Sequence, residues 1–197
     1  MNGEITRLGG RPRSYCSNAC KQAAYRLRQK PVAATLPASK NLARAHLPHA
    51  ALQGADLAGA DLLDAGCFGA NLSKADLRGA NLTGVNLDKA NLAGADLTGA
   101  DLTRAYLRDS DLAGADLTAA NLTRADLTRA DLRRTKHAKA SLDDALLAEA
   151  NLAGARLARA TGLLTHQLTR KQLLAAATLP PTLGLCHERC FGPTRRT

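Results

Sequence analysis

Thiols are the first place to look for chemistry in this chain, because a thiolate is both a nucleophile and a soft metal ligand. Of the five cysteines, Cys16 and Cys20 fall in a basic stretch, Gly10 to Arg28. With Ser17 as N-cap they straddle the first turn of a helix expected to run to about Gln29, before Pro31, where the helix dipole favours thiolates. Cys186 and Cys190 repeat the spacing with His187 between them. Two thiolates and one imidazole are a partial set for Zn²⁺, which takes four ligands; the alternative account of that stretch is a disordered basic tail. Cys67 follows Gly66 and precedes Phe68 and reads as a small core hydrophobe.

Acid–base chemistry has less to stand on. The five histidines (His46, His49, His137, His166, His187) are scattered, serines are few, and the aspartates follow a structural period. No nucleophile–base–acid set is apparent and no phosphate-cradling glycine loop, since the glycines fall at regular corner positions. The expectation is a non-enzymatic interaction module, with no cofactor except zinc at the cysteine pairs. A different chemistry is offered by Arg11, Arg13, Lys21, Arg26 and Arg28, which together with Tyr15 and Tyr25 could contact nucleic-acid phosphates. The bland account is a solvated basic tail on the Pro/Ala linker 31–39.

The charge distribution separates those ends from the middle. Lysine and arginine number 27 against 17 acidic residues, a formal net charge of +10. Residues 40–160 carry 15 of each sign, so the excess belongs to the termini. Aromatic residues are 3% of the chain and hydrophobic ones 45%, which means a core of Ala and Leu. No apolar run approaches the roughly 18 residues of a membrane span. No signal-peptide core is read in Met1 to Arg13. An odd number of cysteines without a leader points to reduced thiols in the cytoplasm.

What must position these residues is a repeat. From position 42 to 157 Leu recurs every fifth residue at 22 of 24 positions, Cys67 and His137 being the exceptions. Ala stands two residues earlier in 20 of 24, replaced by Lys40, Val85, Ser110 and Thr135, and Asp or Asn mostly lies between. On an α-helix a step of five turns by roughly 140°, scattering the leucines around the axis. On a flat strand it flips the side chain each time. A chain that is extended through Ala and Leu and turns a corner at the next two residues points every Leu inward and closes a square after four repeats. Coils stacked about 4.8 Å apart then give a rod roughly 29 Å long in six turns. Residues twenty apart share a column. Asp56, Asp76, Asp96 and Asp116 precede Lys136 and Arg156 in one, and Asn41, Asp61, Asn81, Asp101 and Asn121 alternate in another. Thr83, Thr103 and Thr123 are expected to bond side chain to side chain. A smooth face of Gly54, Gly94, Gly114 and Gly154 is expected to carry Phe68 and Leu63 as its apolar spot, with Tyr106 further along. These columns are solvated rungs or a partner surface. His137, in the basic run 133–139, is a tolerated irregularity or a binding feature.

The A(D/N)LXX unit resembles the pentapeptide-repeat family, which implies a right-handed quadrilateral β-helix, an all-β solenoid, here with short flanking helices. The quinolone-resistance members resemble duplex DNA and bind DNA gyrase. That likeness implies gyrase as a candidate partner and, as the alternative function, a DNA-mimic inhibitor or protector of gyrase or topoisomerase. B-DNA presents a negative charge every 1.7 Å or so, whereas this repeat is neutral overall, so the first expectation is a scaffold for a protein partner with weak nucleic-acid contact through the basic N-terminus. After Ala160 the period stops. Thr169 and Gln172 form a capping box with Leu168 and Leu173 as its hydrophobic staple, predicting a helix from Arg170 to about Ala177. Gly162-Leu163, Leu168-Thr169 and Gln172-Leu173 are similar to a GLTxxQL tail that follows bacterial pentapeptide arrays. It covers the open end of the last coil, or forms a homodimer as in gyrase-binding members. Gly10–Arg28 resembles the GRPRxYCSxxCRQxAYRxR half of a short actinobacterial zinc-finger-like module, with Lys21 in place of Arg. That resemblance implies a second cysteine pair upstream, lost or lying before Met1. The chain is thus read as 1–30 basic segment, 31–39 linker, 40–160 repeat, 161–183 cap and 184–197 tail.

Overall fold

The computed structural model describes residues 40–164 and 167–180. The N-terminal segment, its Cys16 and Cys20, its helix and linker, and the tail with Cys186, His187 and Cys190 lie outside the described residues.

The hydrogen bonds of one repeat explain the fold. Asn81 donates its N–H back to the Ala60 carbonyl of the preceding coil at 2.9 Å, and Leu82 and Gly84 donate forward to Asp101 (2.7 Å) and Thr103 (2.9 Å). Val85 closes the corner onto the Leu82 carbonyl at 3.1 Å. The fifth donor, Thr83 N–H, has no backbone acceptor and is taken by the Asn81 side chain, Oδ1, at 3.2 Å. Every main-chain N–H of the repeat is therefore satisfied, as a chain with a dry interior requires. This is why Asp or Asn precedes Leu: its short side chain makes an Asx turn over the corner. The same bond recurs from Ala43 on Asn41 to Ala153 on Asn151. Two of the repeats without Asp or Asn at this position support the reading. At His46 the residue two on is Pro48, which has no N–H to satisfy. At Tyr106 the Arg108 N–H reaches to the Asp88 carboxylate of the coil below, at 2.8 Å.

Propagated, these bonds give parallel bridges at a constant offset, Asn41 to Asp61, Asp61 to Asn81, and so to Ser141 with Thr161. Three more columns begin at His46, Ala51 and Asp56. The four columns are the sides of a right-handed quadrilateral β-helix, the square that the period predicts with the hand that the resemblance implies. Leucines fill the axis, Leu82 to Leu132 being fully buried wherever the repeat carries Leu, and Cys67 occupies one of their places. Each corner closes as a type II turn, with positive φ at its second central residue from Arg44 to Gly154. Ser110 and Thr135 fit where Ala is usual because each hydroxyl donates to the carbonyl three residues back, Leu107 and Leu132, at 2.6 Å.

The end is sealed as the capping box predicts. Thr169 caps α1, Arg170–Ala175, with its side chain on the Gln172 N–H. The helix stops at Ala175, two residues before the expected Ala177, because Ala177 turns its N–H to the Ala155 carbonyl and continues the sheet. Gln172 donates its side-chain amide to the Leu147 and Ala150 carbonyls at 2.8 and 2.9 Å. Gly154 and Leu157, which have no further coil, donate to Ala175 and Thr178. Leu163, Leu168 and Leu173 close the axis.

Two substitutions separate these effects. Asn91 Oδ1 holds the Ala93 N–H at 2.9 Å, so Asn91→Ala should lower unfolding free energy by about 1 kcal/mol, and Asn91→Asp by less, since it keeps the acceptor but faces Asp111 across the ladder. Ala119 carries a φ of 57°, so Ala119→Gly should raise stability by about 1 kcal/mol. Urea unfolding followed by circular dichroism reads both.

Candidate functional site

The columns decide what the outside can do. Each Asp of the column Asp56, Asp76, Asp96, Asp116 has a cation. Lys40 lies 2.7 Å from Asp56, Arg78 2.6 Å from Asp76 and 3.8 Å from Asp96, and Lys136 2.9 Å from Asp116. The Lys40 and Arg78 hydrogen bonds hold Asp56 and Asp76 below the usual carboxylate range. For Asp116 burial works to raise the pKa, but the Thr118 and Lys136 hydrogen bonds outweigh it and the group stays lowered. The column is an acidic ladder in sequence and a string of ion pairs in space. Beyond it the sign reverses, with Lys136 bridging Arg156 and Arg156 bridging Thr178 of the cap.

The side with the most varied chemistry runs through His46, Gly66, Asn86, Tyr106, Asp126 and Leu146. Asp126 lies between Tyr106 and Leu146 and is 7% exposed. Its carboxylate is paired with Arg108, and although burial raises its pKa, the Thr128 and Arg108 hydrogen bonds bring it down overall. Arg129 clamps Asp109 with two bonds of 2.7 Å. Phe68 belongs here, not on the glycine face: His49 donates its backbone N–H to the Phe68 carbonyl, Phe68 and His49 meet edge-on at 5.6 Å, and Lys89 lies 5.9 Å above the ring. The expected Phe68–Leu63 spot does not form. Counting by twenties separates Phe68 from Gly54 by a corner and places Leu63, half-buried, at another. Exposed Leu146 carries no signal in sequence, since it fills an Asp position of the repeat.

The threonine column also differs from expectation. Thr103 and Thr123 donate their hydroxyls to Asp101 and Asn121 in their own repeat, and the Asn121 amide crosses to Thr103 at 2.9 Å. The Asx oxygen lies closer to each hydroxyl than the next coil's threonine does.

The glycine face is shallow. Ala113, Gly114, Ala153 and Gly154, with Arg133 and Arg134, line an open basin of about 520 Å³. Among the described residues no group of three or more His, Cys, Asp and Glu is arranged to hold a metal. No helix there is long and apolar enough to cross a membrane. Cys67 is fully buried and burial pushes its thiol up to about 12, which makes it inert at neutral pH.

His137 is a core residue, 1% exposed, on the axis between Leu117 and Leu157. Burial pushes its pKa down to about 4 against the pull of Asp116. Its Nδ1 has no hydrogen-bond partner. The neutral ring of the fold competes with an unfolded chain that takes up a proton from about pH 6.5. Stability should therefore fall as pH drops from about 6.5 to about 4, by about 3 kcal/mol. The lowered carboxylates Asp76, Asp116 and Asp126 add their own loss only below 3.8. His137→Leu should remove the slope in the upper window and raise the melting temperature at pH 7, which thermal melts at stepped pH will test.

The family described as "Pentapeptide repeats" matches residues 41–65, 67–104 and 100–136, in 8 copies. Solved structures are similar over parts of the chain. A pentapeptide repeat protein from the Arabidopsis thaliana thylakoid lumen is 28% identical over 68% of this chain and 84% of its own, with a TM-score of 0.44. A pentapeptide repeat protein from Nostoc Pcc 7120 is 42% identical over 41% of this chain and 66% of its own, with a TM-score of 0.40. QnrB1, a plasmid-mediated fluoroquinolone resistance protein, is 16% identical over 70% of this chain and 83% of its own, with a TM-score of 0.29. Curated proteins yield no match.

Proposed function

We propose that this chain, a pentapeptide-repeat protein, acts as a non-enzymatic interaction scaffold, a rigid four-sided rod that presents fixed columns of side chains to a protein partner. One observation carries the reading: the polar side chains that recur along the rod hold the backbone or one another. Asp and Asn close the corners through Asx turns, and the column carboxylates bind cations of their own or an adjacent coil. Groups committed in that way are not poised for acid–base work. A regular surface with its geometry fixed by the main chain suits recognition instead.

The scaffold carries a second contact at its N-terminus, where Arg11, Arg13, Lys21, Arg26 and Arg28 meet nucleic-acid phosphates. Cys16 and Cys20 there supply two of four ligands for a zinc ion, with Cys186, His187 and Cys190 as the other thiol-bearing set in the chain. Zinc retained through dialysis at one equivalent per chain, and lost in Cys16→Ser, is the expected sign of that site; a zinc-free chain removes it from the proposal. A cytoplasmic setting, with the thiols reduced, belongs to the same reading.

Gyrase inhibition by DNA mimicry is the rival function. It would require an acidic rod, and here the four carboxylates of the longest Asp column share three cations, Lys40, Arg78 and Lys136. A supercoiling assay separates the two: the scaffold reading expects gyrase activity unchanged at micromolar protein, and inhibition or quinolone protection would replace it. For the N-terminal contact, changing Arg11, Arg13, Lys21, Arg26 and Arg28 to Gln in the full chain should weaken binding to a labelled DNA duplex at low salt by at least tenfold. Unchanged affinity would end that part of the proposal.

A further inference from the structure

Seven of the fifteen cations in residues 40–160 have a carboxylate within 4 Å. Lys40, Arg78, Arg108, Arg129, Arg133 and Lys136 are paired at 2.5 to 2.9 Å with Asp56, Asp76, Asp126, Asp109, Asp131 and Asp116. Of the eight without an ion-pair partner among the described residues, four are isolated: Arg44, Lys74, Lys89 and Arg104, on successive coils. In one place they gather. The last two coils before the cap expose Arg134 and Lys139 on one rung and Arg156 and Arg159 on the next, none with a carboxylate partner among the described residues.

The gathering opposes stability. Lys136 and Arg156 are direct bridge partners, and the Lys139 N–H donates to the Arg159 carbonyl at 3.1 Å, so like charges stack one coil apart. Like charges facing each other across a ladder destabilise it. The four stacked Asp rungs earlier in the same column share three bound cations, whereas Arg156 has no counter-charge among the described residues. The ground between the cations is flat and small: Ala138 and Ala158 at one corner, Ala153 and Gly154 at the other, opening into the basin of about 520 Å³ between Arg133, Arg134 and Gly114. Backbone hydrogen bonds hold this terrace rigid, so its charges are already in place before any ligand arrives.

We propose that this terrace, Arg134, Lys139, Arg156 and Arg159 around the Ala/Gly ground, docks the phosphate backbone of a nucleic-acid duplex. The proposal rests on the scaffold reading and names a partner class for one of its faces. Four uncompensated charges on two rungs about 4.8 Å apart call for an equally dense anion. A duplex, with a negative charge every 1.7 Å or so of its axis, is one. A protein carboxylate patch is a poorer match, because carboxylates stacked on rungs, as in this rod's own Asp column, give about one charge per 4.8 Å.

The test uses the full chain and a fluorescein-labelled 20-base-pair DNA duplex, with affinity measured by anisotropy from low to physiological salt. Changing Arg134, Lys139, Arg156 and Arg159 to Gln should weaken binding at least tenfold at low salt. It should also flatten the dependence of log affinity on log salt by up to about 3.6, at about 0.9 for each of the four phosphates no longer neutralised. A control with the same change in net charge, Arg44, Lys74, Lys89 and Arg104 to Gln, should keep at least half of the affinity. Circular dichroism melts confirm that both variants fold. Equal effects from the two variants, or an unchanged slope in the first, would overturn the proposal. So would binding of poly-glutamate in preference to the duplex. The N-terminal Gln variant is scored separately: if it alone loses binding, the terrace falls and the N-terminal contact stands; if the terrace variant alone loses binding, the reverse holds.

Discussion

Everything in this molecule depends on one coil finding its hydrogen-bond partners on the next. A single square turn has a main chain whose donors and acceptors point up and down the axis, and alone it would leave most of them unmet. Stacked, the Leu and corner donors face forward, the Asp or Asn donor faces back, and the leucines meet along a dry line. Stability of this kind is a sum over neighbours, and its weak points are the ends. That is why the chain leaves its period after Ala160 and folds a short helix and an extra strand over the last coil. Gln172 takes part in both devices, capping α1 and donating to the Leu147 and Ala150 carbonyls.

The constraint on the inside frees the outside. With hydrophobic and main-chain demands met by Ala, Leu and the Asx residue, the two corner residues of each repeat can vary. They hold Gly, Arg, Lys, Thr or Asp with the fold unchanged. The second of them must adopt positive φ, which non-glycine residues accept at a cost of about 1 kcal/mol or more each. Charged corner residues such as Arg129 and Arg134 sit in that conformation. Placing a charge there therefore works against the backbone, and the terrace does so at Arg134 and Lys139.

Sequence reasoning reaches the architecture because a period of five is incompatible with both common elements and leaves few backbones that bury all its leucines. The cap is readable from Thr169, Gln172 and the flanking leucines, since capping chemistry is local. The role of Asp and Asn is not, because an Asx turn and a solvated rung require the same residue at the same place. The Thr83, Thr103 and Thr123 column misleads for a related reason: a hydroxyl one coil away is a weaker competitor than the Asp or Asn side-chain oxygen two residues back. Phe68 misleads because its apolarity says nothing of the corner it occupies, which only its place in the count of twenty fixes. The terrace is half visible as a basic run at 133–139. What sequence alone does not say is which cations have partners, since Lys136 is paired through Asp116 and Lys139 is not.

Amide hydrogen exchange followed by NMR tests the stacking account most directly. It predicts protection with a period of five through the middle coils. The Leu82, Gly84 and Val85 amides should exchange only by global unfolding, while Thr83, held by a side chain at the surface, exchanges far sooner, and the same pattern should recur at Leu92, Gly94, Ala95 and Ala93. Protection that is uniform along the repeat, or that follows a helical period near 3.6, would contradict it.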